Sequence, residues 1–182
     1  MLWAMAAEGP ERTKFERLYL AYRQVMFYAA NAILKDPQLA EDAVQQAFLR
    51  IFNNLDKIAE VECPQTKSFV VIIVRNIAIN LYNSRKRRAV LSLDELENWA
   101  ADAGPAPQNQ VEEREGLLHL ADLLDRLPEG YRSVLLLKYD NGFSTAEIAS
   151  MLELSEENVK KRIQRARKKL GELLEREEVS LS

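Results

Sequence analysis

A dense run of basic side chains near the C-terminus carries the most specific chemistry in this sequence. Residues 160–169 contain seven lysines and arginines and no acid. Such side chains neutralise phosphates and donate hydrogen bonds to base edges, so the run is suited to binding duplex DNA. A helix face rich in lysine and arginine is also commonly just a solvated surface. The residues on either side of the run favour DNA binding over that alternative.

A short helix and a second helix that contains the basic run are predicted here. Ser144 and Glu147 have the spacing of a capping box, and the residues that follow place their apolar members on one face. Ser155 is the predicted N-cap of a second helix. Its apolar stripe is Val159, Ile163, Ala166 and Leu170. A short helix, a turn and a basic helix make a helix-turn-helix, whose second helix enters the major groove.

The charge distribution supports nucleic-acid binding although the net charge is only -3. Residues 75–88 hold a second basic cluster, with five basic residues and no acid. Residues 91–129, by contrast, hold ten acids against two basic residues. This segregation predicts positive patches on a mildly acidic protein, and phosphates respond to those patches.

Several function classes are disfavoured by what the sequence lacks. The single cysteine, Cys63, and the single histidine, His119, make no metal-ligand set. No nucleophile–base pair, paired carboxylate site or glycine-rich phosphate loop is visible, so we expect neither an enzyme nor a cofactor. The N-terminus lacks the features of a signal peptide, and no run reaches membrane-spanning length. Because a single cysteine cannot form an internal disulfide, the expected location is the cytoplasm.

The N-terminal half reads as two amphipathic helices followed by a loop. Apolar residues recur at intervals of three and four over residues 15–34 and again over residues 39–55. Asp36 is the predicted N-cap of the second helix, with Pro37 at its first position. A loop marked by Pro64 is predicted at about residues 59–68.

The segment FVVIIV (69–74) is ambiguous by propensity. Five of its six residues are β-branched, which favours a buried strand. No partner strand is visible elsewhere, and a lone strand leaves its backbone groups unsatisfied. We therefore predict a helix, and the fold class is all-α. Two helical domains are expected, at residues 11–90 and 111–176, joined by an acidic, proline-containing linker at residues 91–110.

Three motifs together resemble the extracytoplasmic-function (ECF) group of bacterial sigma factors in the sigma-70 family. They are AEDAVQQAFLRIF (40–52), VRNIAINLYNSRKRR (74–88) and the segment 127–170 with its helix-turn-helix. The resemblance implies a promoter-specificity subunit that binds core RNA polymerase and directs transcription initiation at minus-ten and minus-thirty-five elements. The first domain then corresponds to sigma region 2 and the second to sigma region 4.

In this family the helix containing the first motif docks on the clamp helices of the largest polymerase subunit. The residues that the resemblance assigns to polymerase binding are Asp42, Gln45, Phe48, Leu49, Arg50 and Phe52. The spacing of Phe48 and Phe52 also fits the apolar face of the helix, so core packing is the alternative for these two.

The second motif and the loop before it, in this family, bind the minus-ten element as a single strand with one base flipped out. The residues so assigned are Arg75, Asn76, Asn80, Arg85, Lys86, Arg87 and Arg88, with the loop at residues 60–68. An amide can hydrogen-bond a flipped base, and cations can hold the strand. For residues 85–88 the alternative is a solvated helix end with favourable dipole charge.

The last helix, in this family, reads the minus-thirty-five element as duplex DNA. The residues so assigned are Ser144, Asn158, Lys160, Lys161, Arg162, Gln164, Arg165 and Arg167. Asn158, Lys161 and Arg165 share a face that should enter the groove. Arg162 and Arg167 are expected to hold phosphates.

The sequence departs from the family pattern at four positions. Phe69 stands where the family usually has Trp, Asn80 where it often has Asp, Gln46 where it has Glu, and Glu153 where it has Gly. The last position lies in the turn between the two helices of the motif. A left-handed backbone there should cost glutamate about 1 kcal/mol.

The resemblance also implies partners besides promoter DNA and the polymerase clamp helices and flap. An anti-sigma factor, often membrane-anchored in this family, is expected to hold the protein inactive, so the cytoplasmic protein is either nucleoid-associated or held at the membrane. The linker either mimics nucleic-acid charge along the RNA exit path or is a disordered spacer. Two other function classes stay open: a stand-alone dimeric helix-turn-helix regulator, and a helical protein-interaction module.

Overall fold

The computed structural model describes residues 10–89 and 115–180, and these residues contain helices and turns with no strand. The chain folds as two compact units, one from each half of the sequence. The predicted all-α fold class is confirmed. The predicted linker at residues 91–110 lies outside the described residues.

The first unit is a bundle of three helices. They are α1 (Pro10–Leu34), α2 (Pro37–Phe52) and α3 (Pro64–Ala89), and each packs against the other two. Leu18 and Met26 of α1, Phe48 of α2 and Ile73 of α3 are fully buried between them. Burial of this apolar surface is the main force that holds the three helices together.

The boundary between α1 and α2 is set by Asp36 and Pro37, as predicted. The Asp36 carboxylate oxygen Oδ1 accepts hydrogen bonds from the backbone N–H groups of Gln38 (3.1 Å) and Leu39 (3.2 Å). Proline at the first helical position removes an N–H group that would have no partner. The chain reverses through Lys35, whose φ of 49° lies in the left-handed region.

The segment 69–74 belongs to α3, so the helix prediction there is confirmed. Phe69, Val70, Ile73 and Val74 are all buried. Because α3 packs against both α1 and α2, apolar side chains are needed around most of its circumference. This burial outweighs the strand propensity of β-branched residues, which is a weak preference.

The connection from α2 to α3 is shorter and better anchored than predicted. A single 3-10 turn at Leu55–Lys57 follows α2, and α3 already begins at Pro64, so residues 64–68 are helical and not loop. The Tyr22 hydroxyl of α1 donates to the carbonyl of Val61 at 2.8 Å, and the Thr66 hydroxyl donates to that of Glu60 at 2.6 Å. Burial is the main cause that raises the pKa of the Tyr22 phenol above its usual value.

The second unit is built around its last helix. Its elements are α4 (Glu115–Asp125), α5 (Glu129–Leu135), a π-helical segment (Leu136–Asp140), α6 (Thr145–Leu152) and α7 (Glu156–Ser180). Helix α7 packs against α4, α5 and α6. Buried side chains from these elements form the core: Leu123, Val134, Leu137, Ile148 and Val159.

The π-helical segment was not predicted. The backbone N–H of Asn141 donates to the carbonyl of Leu136 at 3.0 Å, which is the wider spacing of a π-helix. Phe143 directly after it is buried, and its N–H donates to the carbonyl of Leu137 at 3.0 Å. The wide turn allows the chain to leave the helix and place Phe143 in the core before α6 begins.

Glu153 ends α6 in the left-handed conformation, with φ 56° and ψ 46°. The family that the sequence resembles usually has glycine at this position. We predict that Glu153→Gly raises the free energy of unfolding of the second unit by about 1 kcal/mol, because glycine adopts this conformation without a Cβ clash. Denaturant unfolding, resolved by hydrogen exchange at the two units, measures the effect.

The control for this prediction is Glu153→Ala. Alanine removes the same carboxylate but keeps the Cβ atom, so it should bring no comparable gain. Equal stabilisation by both variants would mean that the carboxylate, and not the backbone conformation, is unfavourable in the wild type.

Candidate nucleic-acid interfaces

The first helix of the predicted helix-turn-helix, α6, is capped in both directions. The Glu147 N–H donates to the Ser144 hydroxyl oxygen at 3.2 Å, and the Ser144 N–H donates to the Glu147 carboxylate at 2.8 Å. This reciprocal pair is the capping box predicted from the spacing of the two residues. It fixes the direction in which α6 enters the motif.

The second helix, α7, is also capped as predicted. The backbone N–H of Asn158 donates to the hydroxyl oxygen of Ser155 at 3.2 Å. Val159 and Ala166 of the predicted stripe are fully buried, while Ile163 and Leu170 are half-buried. The stripe continues to Leu173, and the rest of the helix surface therefore faces solvent over most of its length.

Most side chains assigned to duplex DNA lie on that solvent-exposed surface. The exposed ones on α7 are Asn158, Lys160, Lys161, Gln164, Arg165 and Arg167. Lys161 forms an ion pair with Glu157 one turn earlier, with 2.6 Å between Nζ and Oε1. Both partners are largely exposed, so the pair is weak and can open when phosphates approach.

A basic concavity of about 560 Å³ lies between α7, the π-helical segment and the start of α6. It is lined by Lys138, Thr145, Lys160, Ile163, Gln164, Arg167 and Lys168. Three of these, Lys160, Gln164 and Arg167, had been assigned to DNA from the sequence. Four cations around one concave surface create a positive potential suited to a phosphate backbone.

Lys138 and Lys168 were not among the predicted site residues. Lys168 belongs to the basic run, and the sequence did not distinguish it from the neighbouring cations of the run. Lys138 lies outside the run, and the π-helical segment places it at the concavity. No signal in the sequence pattern indicated that placement.

Arg162 differs from the other cations of α7 that were assigned to DNA. It is half-buried, and desolvation lowers the pKa of its guanidinium, while the nearby Tyr131 phenol raises it in part. Its side chain therefore lies on the side of α7 that packs within the unit. The expectation that Arg162 holds a phosphate is not supported by this placement.

Ser144 combines a structural and a predicted DNA-binding role, and these can be separated. We predict that Ser144→Ala lowers the free energy of unfolding of the second unit by about 1 kcal/mol through loss of the cap. Ser144→Asp should keep the stability, because aspartate caps as well, but should weaken duplex binding by adding a negative charge beside phosphates. Urea unfolding and fluorescence anisotropy with duplex DNA measure the two effects. Unchanged duplex binding by the aspartate variant would place Ser144 away from the DNA.

The second basic cluster forms the C-terminal end of α3. Arg85, Lys86 and Arg87 are exposed, and the side chain of Arg88 lies outside the described residues. The Arg85 Nη1 atom lies 3.2 Å from Oδ2 of Asp36, the residue that caps α2. Arg87 donates from Nε to the carbonyl of Asn83 at 3.4 Å. The end of α3 thus presents several cations to solvent, which fits both the assigned DNA binding and the alternative of a solvated helix end.

The polar residues earlier in α3 are less accessible than predicted. Asn76 is only 8% exposed, and its Oδ1 atom is buried with no hydrogen-bond partner. Arg75 and Asn80 are half-buried. A buried acceptor without a partner costs about 1–3 kcal/mol. Asn76 cannot reach a flipped base in this conformation, so the assigned role requires α3 or its surroundings to adjust.

The residues assigned to polymerase binding on α2 divide into two groups. Asp42, Gln45 and Leu49 lie toward solvent, and Arg50 is half-buried. Phe48 is completely buried, with its ring centroid 4.8 Å from that of Tyr19 and 5.8 Å from that of Phe15.

Phe48 is therefore a core residue in this structure. Its side chain has no exposed surface, so the polymerase contact assigned to Phe48 is wrong in this conformation. Phe52 is half-buried and meets the Phe15 ring edge-on at 5.5 Å. For both rings the structure favours the alternative of core packing.

Neither a metal centre nor a membrane span is found in the part of the chain that the structure describes. Across residues 10–89 and 115–180, no group of three or more His, Cys, Asp or Glu side chains is arranged to hold a metal ion. Within the same ranges, no helix is both long enough and apolar enough to cross a membrane.

Both units match known protein families. The model for sigma-70 region 2 matches residues 18–88, and the model for sigma-70 region 4 matches residues 117–170. The basic end of α3 falls within the first match, and the helix-turn-helix falls within the second.

Curated relatives extend the match over nearly the whole chain. The RNA polymerase sigma factor CnrH of Cupriavidus metallidurans is 32% identical over 181 residues, covering 96% of this chain and 93% of its own. The ECF RNA polymerase sigma factor SigM of Bacillus subtilis is 27% identical over 161 residues, covering 88% and 95%. The probable RNA polymerase sigma factor RfaY of Xanthomonas campestris is 32% identical over 177 residues, but this chain spans only 43% of its length.

Among solved structures, that of CnrH in complex with the cytosolic domain of CnrY is similar to this chain. It is 27% identical, with a TM-score of 0.39, and the match covers 96% of this chain and 95% of that one.

Proposed function

Because the chain belongs to the ECF group of the sigma-70 family of promoter-recognition subunits of RNA polymerase, we propose that its two basic surfaces bind two separate promoter elements. The surface of α7 with the basic concavity takes the minus-thirty-five element as duplex. The basic end of α3, with the loop before that helix, takes the minus-ten element as single strand.

One observation carries this proposal: the described residues hold two basic surfaces in two separately packed units. A stand-alone helix-turn-helix regulator needs only the surface on α7, and the exposed cations of α3 would then have no role. A polymerase subunit that must hold both duplex and opened DNA needs both surfaces.

At the duplex element, α7 enters the major groove with its exposed polar side chains toward the bases. Lysine and arginine donate to guanine O6 and N7, and asparagine bonds adenine through both the oxygen and the nitrogen of its amide. Lys160 and Arg167, together with Lys138 and Lys168 around the concavity, hold phosphates and fix the register. Specific base contacts are proposed for Asn158, Lys161 and Arg165.

At the single-stranded element, the cations at the end of α3 attract the strand, and the loop at residues 58–63 receives a flipped base. The loop suits this role because the rest of the unit holds it in place. Ile58 and Val61 are buried, and the Tyr22 and Thr66 hydroxyls donate hydrogen bonds to its carbonyls. A loop that is already ordered loses less conformational entropy when it binds.

Core polymerase binds the exposed face of α2 under this proposal. Asp42, Gln45 and Leu49 are the accessible residues there, and the clamp helices of the largest subunit are the partner that the family resemblance implies. The second unit is proposed to contact the flap, and an anti-sigma factor to cover polymerase-binding surfaces of the inactive protein. The proposed location is the cytoplasm, on the nucleoid when active.

Reconstitution with bacterial core RNA polymerase tests the proposal. We expect the protein to co-elute with core enzyme and to direct transcription from a promoter-rich DNA library. The start sites should share two upstream motifs. Failure to bind core enzyme, combined with tight duplex binding by a homodimer alone, would support the stand-alone regulator instead.

A further inference from the structure

One cation of the basic end of α3 is held by an acid from elsewhere in the unit. Arg85 and Asp36 are 49 residues apart in sequence, and their side chains meet at 3.2 Å between Nη1 and Oδ2. The other oxygen of the same carboxylate, Oδ1, accepts the two N–H groups at the start of α2. The helix cap therefore holds the carboxylate in place, at the position where it meets Arg85.

This ion pair opposes strand binding at Arg85. A phosphate that approaches Arg85 must displace the Asp36 carboxylate or share the guanidinium with a second negative charge. Both side chains are partly exposed, so the ion pair is weak enough to be broken. Lys86 next to Arg85 is also exposed, so an approaching strand meets a second cation at the same place.

We propose that Asp36 is an intramolecular competitor of the promoter strand, which occupies Arg85 until a phosphate of the single-stranded minus-ten element displaces it. This inference rests on the proposed function of the α3 basic end. Its physical effect is to lower the affinity of the unit for single strands in general. Only a strand that is also held at other contacts, such as the loop at residues 58–63, then gains Arg85.

Asp36→Asn isolates the charge of Asp36 from its capping role, because asparagine is an equally good N-cap. The matched control is Glu41→Gln. Glu41 forms a comparable exposed pair with Arg23 at 3.5 Å in the same unit, and its replacement changes the net charge by the same amount. A difference in strand binding between the two variants therefore reports the position of the removed charge and not the net charge of the protein.

The experiment uses holoenzyme reconstituted with core polymerase and a fluorescent single-stranded oligonucleotide that carries the minus-ten motif found in the transcription assay. We expect Asp36→Asn to bind about threefold more tightly at low salt, as fits an exposed ion pair. The plot of log affinity against log salt should become steeper by up to about 0.7, the value for one phosphate contact on a single strand. Glu41→Gln should change neither quantity comparably.

A double-mutant cycle completes the test. In an Arg85→Ala background, Asp36→Asn should bring no further gain, because its effect acts through Arg85. Equal behaviour of Asp36→Asn and Glu41→Gln would overturn the inference, and so would weaker binding by Asp36→Asn, which would make Asp36 a residue that positions Arg85. If wild-type holoenzyme itself fails to bind the single strand, the proposed function of α3 is wrong and the inference falls with it.

Discussion

Replacing Phe48 with alanine should lower the free energy of unfolding of the first unit by about 3–5 kcal/mol. The ring is fully buried against Phe15 and Tyr19, and its removal leaves a cavity that the surrounding helices can fill only in part. Small domains are commonly stable by only about 5–15 kcal/mol, so the variant should lose much of its stability. Urea unfolding of the full chain, resolved by hydrogen exchange over α1–α3, measures the effect.

The neighbouring residue supplies the control. Leu49 is 39% exposed on the same helix, so Leu49→Ala should cost little stability. Under the proposed function it should instead weaken the binding of core polymerase. If Phe48→Ala leaves the unit stable but abolishes polymerase binding, Phe48 is a contact residue and not a core residue.

Replacing Lys160 and Arg167 together with alanine should weaken binding to minus-thirty-five duplex DNA by roughly 10- to 100-fold at moderate salt. Both side chains line the basic concavity. Because each neutralised phosphate contributes about 0.9 to the salt dependence, the slope of log affinity against log salt should fall by about 1.8. Fluorescence anisotropy over a salt series measures both quantities.

Lys169→Ala with Arg176→Ala removes the same charge from the same helix outside the concavity. This control should change affinity and slope much less, since Lys169 pairs with Glu172 at 3.6 Å and Arg176 lies near the end of the helix. An equal loss in both double variants would show that α7 attracts DNA only by its overall charge.

Three helix starts were predictable because they depend on short-range chemistry, whereas the start of α3 at Pro64 was not predicted. Asp36, Ser144 and Ser155 each accept N–H groups two or three residues later, and such bonds are fixed by local spacing. The left-handed conformation of Glu153 was raised only as a possibility, from the glycine usual in the family at this position, and the structure shows it. The surface of the helix-turn-helix was predictable for a related reason, since the buried stripe of α7 determines which residues remain exposed.

The placement of Lys138 escaped prediction because it requires the local π-helical segment. Other features that escaped prediction depend on contacts between distant residues, and the half-burial of Arg162 depends on packing within the second unit. The connection before α3 is anchored by a hydrogen bond from Tyr22, a residue 39 positions earlier in the chain. The spacing of apolar and polar residues within one helix does not indicate which distant residue will contact it, because many residues elsewhere in the chain have a similar pattern.

Asn76 shows the limit of residue type as a guide to a site. An amide in a basic segment suggests a base contact, but helix packing buries this one with its oxygen unpaired. Unpaired buried polar groups are uncommon and are often tied to function.

Helix α3 joins the two parts of the proposed minus-ten site without a break, from the loop end at Pro64 to the cations at 85–87. At about 1.5 Å per residue, it sets these parts roughly 32 Å apart. A single inserted residue would turn the basic end by about 100° around the helix axis and carry its cations off the path of the strand. Under the proposed function, the length of α3 therefore sets the distance between the two parts of the minus-ten site.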